Sequence, residues 1–165
     1  MRFSFTASAG ALASAALISA AAASAAAAMP KPGLWDVEGR TTGVELGGSS
    51  MPEAMTNMIK QRIMSRPAQS HQQCVTAEDL KSAPENLVKS SESACDYERF
   101  SLEGGTMDAV AVCNFPQGGS GRMEMSGSYT DDSYETTSVV TMDAGPMGRM
   151  TITAEATGTR VGDCD

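Results

Sequence analysis

Five methionines toward the C-terminus have the spacing of a soft-metal or ligand site. Met123 and Met125 alternate in "RMEMSGSYT", and Met142, Met147 and Met150 fall within "TMDAGPMGRM". Thioether sulfur binds Cu(I) when two to four such groups converge, often with a histidine or cysteine. The same side chain is also an adaptable apolar filler, and i, i+2 spacing is what one buried strand face requires. Packing is therefore the first reading and a methionine-based Cu(I)-handling protein an alternative. His71 is the single histidine. Nothing near it resembles a nucleophile elbow or an activated serine, and it reads as a surface or strand-end residue. Glu78-Asp79 and Asp131-Asp132 sit at helix-start and turn positions, where acids have structural reasons to be, so they do not make a glycosidase pair. There is no phosphate loop and no His/Cys cluster with metal spacing. No set of residues fills the roles a reaction needs, so the expectation is a non-enzymatic protein with neither metal nor cofactor.

Four cysteines, Cys74, Cys95, Cys113 and Cys164, form an even set without a CxxC pair. In an exported chain that reads as two disulfides rather than zinc or thiol chemistry. Export is expected from the opening "MRFSFTASAGALASAALISAAAASAAAAMP". Arg2 supplies a basic start, an alanine-rich apolar run follows, and Ala26 to Ala28 suit a signal peptidase. Residues 1–28 are thus expected to be a cleaved signal peptide, with no membrane anchor afterwards. Residues 29–165 would then form a single β-rich domain in the periplasm. The net charge of −8 opposes nucleic acid and anionic lipid and suits a basic envelope protein as partner.

The elements that must hold these residues follow from periodicity. Residues 31–42, "KPGLWDVEGRTT", alternate with a period of two and read as a strand that "GVELGG" breaks. "SSMPEAMTNMIKQRIMSRP" reads as an amphipathic helix. Ser50 and Glu53 would form its capping box, and Pro67 would stop it. Its Met51, Met55, Met58, Ile59 and Ile63 would make a packing face. A short strand then leads into Cys74, and one or two short helices follow, with Thr76/Asp79 and Ser82/Glu85 as cap-like pairs.

From Cys95 onward the chain reads as short strands separated by turns. "CDYERFSL" meets "TMDAVAVC" across Glu103-Gly104-Gly105, a Gly-Gly hairpin signal. "NFPQGGSG" is a longer loop. A tight turn at Asp131-Asp132 sets Tyr129 opposite Tyr134, Met125 opposite Ser138 and Met123 opposite Val140. Pairing Met142 with Met150 then sets Val140 beside Ile152. One face collects the apolar side chains, with Ala154 and Ala156 among them, and the other carries Arg122, Glu124, Glu135 and Glu155. That is an antiparallel meander with one solvated face.

The fold expectation is mainly β: an antiparallel meander curling into a barrel- or calyx-like sheet, with one amphipathic helix and one or two short helices. Strand direction favours Cys95–Cys113 with Cys74–Cys164. Cys74–Cys95 with Cys113–Cys164 stays open, because curvature can bring sheet ends together. Such a sheet suits a binding or scaffolding module that holds a small apolar ligand. Its lining candidates are Trp35, Met123, Met125, Tyr129, Met142, Met147 and Met150. Glycines and Pro146 in "TMDAGPMGRM" read as turn residues, which leaves Met147 alone in the loop.

"KPGLWDV", "QQCVT" followed by "AEDL", the Cys95–Cys113 hairpin, "MEMSGSYTDDSYETT" and the ending "TRVGDC" occur in that order. Together they resemble the bacterial family known as domain of unknown function 3617, over nearly the whole of residues 29–165. The resemblance implies a small exported envelope protein with no established activity. It supplies no functional residues.

Overall fold

The computed structural model describes residues 29–48, 50–88, 94–114 and 119–164. The expected signal segment and part of the "NFPQGGSG" loop lie outside the described residues.

Seven strands form one antiparallel sheet: β1 Gly33–Gly47, β2 Gln69–Val75, β3 Ala94–Glu103, β4 Thr106–Asn114, β5 Ser120–Tyr129, β6 Ser133–Asp143 and β7 Arg149–Gly162. Their order is β2-β1-β7-β6-β5-β4-β3, curled into a half-barrel with β2 and β3 as its edges. Two helices, α1 Glu53–Met64 and α2 Ala77–Ser82, and 3₁₀ turns at Pro84–Leu87 and Gly145–Met147 complete it.

Local chemistry sets the register of the meander. Glu103 pairs with Thr106 across Gly104 and Gly105, whose φ values of 58° and 83° are those of a two-residue turn matching strand twist. Thr130 N–H donates to Ser133 O at 2.8 Å around Asp131-Asp132, and Tyr129 pairs with Tyr134. Met125 opposes Ser138, and Met123 opposes Val140. Val140 opposes Ile152, and Met142 opposes Met150. These are the pairings expected from the sequence.

Four local expectations need correction. β1 does not break at "GVELGG". Its pairing with β7 shifts between Thr41 and Gly43 and then continues to Gly47, so the extra residue is absorbed as a bulge. The N-cap of α1 is Pro52 with no side-chain cap hydrogen bond, so the Ser50/Glu53 box does not form. The methionine stripe of α1 is a packing face only in part, with Met51, Ile59 and Ile63 half-buried. The helix has no buried residue, and Met55 and Met58 are 45% and 60% exposed, because α1 lies against β1 alone among the larger element contacts. Ser82 ends α2 and bonds back to Glu78 O at 2.7 Å, while Ala83 precedes the 3₁₀ turn without a side-chain cap. Thr76 and Asp79 do form the reciprocal capping box.

The concave side holds the core. Trp35, Val75, Leu87 and Met107 are fully buried, and Trp35 packs on Tyr134 with ring centroids 5.8 Å apart. Leu87 arrives from the 3₁₀ turn after α2, and its carbonyl accepts a hydrogen bond from the Gln73 amide. The helical segment therefore plugs part of the half-barrel and leaves the rest open. Two disulfides close the frame. Cys95–Cys113 ties directly paired residues of β3 and β4, with Cα atoms 3.9 Å apart. Cys74–Cys164 ties β2 to the end of β7 across β1, with Cα atoms 5.6 Å apart. The rival connectivity does not occur.

Candidate ligand-binding groove

Alternation along β5, β6 and β7 sends Met123, Met125, Val140, Ala154 and Ala156 to the same cavity, which measures about 640 Å³. Its size follows from side-chain volume. Alanines at 154 and 156 stand where branched residues would fill the sheet face, and the α2 segment covers only the other part of the curl. Polar groups on this floor are largely spent. Thr136 Oγ1 and Ser138 Oγ each reach 3.5 Å from a β7 carbonyl, those of Ala156 and Ala154. Met123, Met125, Val140, Ala154 and Ala156 give the floor an apolar stretch, bordered by polar side chains such as Ser70 and His71, an arrangement suited to an apolar body with polar surroundings.

The walls come from both sheet edges. Tyr97 of β3 stands on one side, and Val37 of β1 with His71 of β2 on the other. Arg66 and Gln69 lie at the exposed mouth. Arg40 and Glu155 also border the cavity, but pair with each other at 2.8 Å. That contact raises the Arg40 guanidinium above its ordinary value, first by hydrogen bonding and then by charge.

Tyr134 stands at the inner end. Its ring lies flat over Gly158, where a Cβ would overlap ring carbons, so the close approach needs glycine. The side chain is 2% exposed, and its hydroxyl has no hydrogen-bond partner among the described residues. Burial, then the nearby Tyr97, pushes its ionisation upward. Burial, then the charge of Glu85, pushes Tyr97 up to about 12. Both phenols therefore stay protonated near neutral pH.

The residues singled out from sequence are divided by the fold. Met123 and Met125 line the cavity. Trp35 and Tyr129, 0% and 5% exposed, belong to the packed core. Met142 and Met150 are cross-strand partners at the far end of β6 and β7. There Met142 borders a second depression of about 660 Å³ with Arg122, Gly148 and Arg149. Met147 lies in the 3₁₀ turn beyond the strands, partly buried. Register sets Met150, Met142, Met123 and Met125 along a stepped line. At ordinary strand spacing and rise its end residues are on the order of 17 Å apart along the backbone, so the four positions form a row rather than a cluster. No group of three or more His, Cys, Asp or Glu suited to a metal occurs among the described residues.

Sequence reasoning did not single out Tyr97, Tyr134, Val37 or His71 as site residues. Alternation in "CDYERFSL" and the Tyr129–Tyr134 register carried the signal for the two phenols. Their approach across the curl depends on curvature, which no local pattern encodes.

A family model described as "Protein of unknown function (DUF3617)" matches residues 30–164. No curated protein and no solved structure matches the chain.

Proposed function

The chain belongs to the DUF3617 family of unknown function, and on that footing we propose that it is a non-enzymatic binding module whose concave groove holds a small apolar ligand. One observation carries this reading: a cavity of about 640 Å³ opens beside a well-packed core and is floored by Met123, Met125, Val140, Ala154 and Ala156. Met-lined surfaces re-pack around varied ligands. The signal-like residues 1–28 and the paired cysteines support service in the periplasm, an oxidising compartment.

Titration with the neutral fluorophore N-phenyl-1-naphthylamine tests the reading. The protein should enhance its emission saturably, and Ala154→Trp, which fills the floor, should abolish the enhancement while the fold is kept. Equal enhancement by both proteins would locate apolar binding elsewhere.

A further inference from the structure

We infer that the ligand of this groove is a long-chain carboxylate, its chain lying across β7 and β1 and its headgroup held at the mouth by Arg66. The inference rests on the binding role proposed above and names its ligand class.

Strand register lays an open trough from the floor to the β2 edge. Gly39 of β1 pairs with Ala156 of β7 on one side and with Gln69 of β2 on the other. Thr136 of β6 pairs with Ala156 in turn. All four border the cavity, and residues directly opposite each other in a sheet share a face. Only the Ala156 methyl therefore rises between Thr136 and Gln69. A Cβ at Gly39 would meet nothing nearer than the Glu155 carbonyl oxygen at 3.8 Å, so no side chain from another strand fills the space there. Continued by Ala154 and Met125 on the neighbouring row, this track suits an extended hydrocarbon.

The mouth supplies a free charge. The chain has 20 acidic side chains against 12 basic ones, yet the single carboxylate bordering the cavity among the described residues is Glu155, which Arg40 engages at 2.8 Å. Arg66 also borders the cavity, is exposed, and belongs to no ion pair among the described residues. It lies between the end of α1 and Gln69, the first residue of β2, and so at the β2 end of the trough. A carboxylate there stays solvated while its chain is buried, which avoids the cost of burying a charge. A guanidinium can meet it with two parallel hydrogen bonds. The described lining offers no cation beside Met123 and Val140, and that fixes the orientation, chain inward and head outward.

Displacement of N-phenyl-1-naphthylamine at neutral pH by decanoate and by decan-1-ol tests this. Arg66→Gln should bind decanoate about threefold more weakly, as the loss of an exposed ion pair predicts, with its affinities for the alcohol and the fluorophore unchanged. Arg62→Gln, which removes an exposed α1 arginine away from the lining, should leave decanoate binding as it was. Gly39→Val, where a Cβ has room, should keep its melting temperature and bind both decyl compounds more weakly. Unchanged decanoate binding by Arg66→Gln, an equal loss for decan-1-ol, or the same loss in Arg62→Gln overturns the headgroup assignment and leaves the apolar groove standing. Undiminished binding by Gly39→Val overturns the path of the chain. Failure of the unaltered protein to bind the fluorophore overturns the groove reading and this inference with it.

Discussion

At position 158 only a hydrogen atom fits beneath the Tyr134 ring. Gly158→Ala forces the ring off Gly158 and disturbs its packing on Trp35. It should lower stability by about 2 kcal/mol, the range for overpacking a core, read as a reduced urea midpoint. The face occupied by each residue of β5 to β7 was legible in sequence, because alternation and two tight turns leave little freedom. The distances between residues on that face were not. Trp35, Tyr129, Met123 and Met125 share the concave side, yet Trp35 and Tyr129 pack the core, Met123 lines the cavity, and the buried Met125 belongs to the core cluster and borders the cavity as well. Leu87, which joins Trp35, Tyr129 and Met125 in the core, is delivered by a segment far from all of them in sequence.

At the scale of elements, turn and cap chemistry made the strongest forecasts. Gly104-Gly105 and Asp131-Asp132 define the hairpins, and Thr76 with Asp79 starts α2. Thr76 Oγ1 accepts from Asp79 N–H at 3.1 Å, and Asp79 accepts from Thr76 N–H at 2.9 Å. Thr76→Ala should cost about 1 kcal/mol, as lost N-caps do, measured by chemical denaturation. The Asp79 carboxyl is held below its ordinary value by the Thr76 hydroxyl, then the Thr76 backbone N–H and the Asn86 amide. Its contribution is therefore present above the ordinary carboxylate range and is lost as pH falls through its folded value. Amide exchange in α2 should accelerate selectively in that acidic window, and less so in Thr76→Ala. Where tertiary packing decides, the sequence pattern misled. The apolar stripe of α1 has the right period but meets β1 only at its margin. The glycines of "GVELGG" suggest a break, but they sit beyond a bulge that lets β1 continue along β7.

At the scale of the whole molecule, the decisive pairing joins β1 to β7, strands remote in sequence. It places the first long strand inside the sheet and makes β2 an edge. Nothing local announces that pairing, although Cys74–Cys164 reports it, since the bridge spans both neighbours of β1. The two disulfides differ in reach, their cysteines standing 90 and 18 positions apart in sequence. On loop-closure entropy the longer is worth about 4.5 kcal/mol and the shorter about 3 kcal/mol. Cys74→Ser/Cys164→Ser should therefore unfold at lower denaturant than Cys95→Ser/Cys113→Ser. The longer loop also holds β1 and β2 in place as one wall of the groove, so its removal should weaken fluorophore binding as well.

On the function proposed for it, this half-barrel keeps its concave side open for a small apolar molecule. Native mass spectrometry of the protein isolated from its own cells, beside Ala154→Trp prepared the same way, tests that most directly. An adduct of small-molecule mass is expected on the unaltered protein, released on organic denaturation and missing from Ala154→Trp. A bare polypeptide mass for the unaltered protein, or an adduct retained by the filled variant, would contradict it.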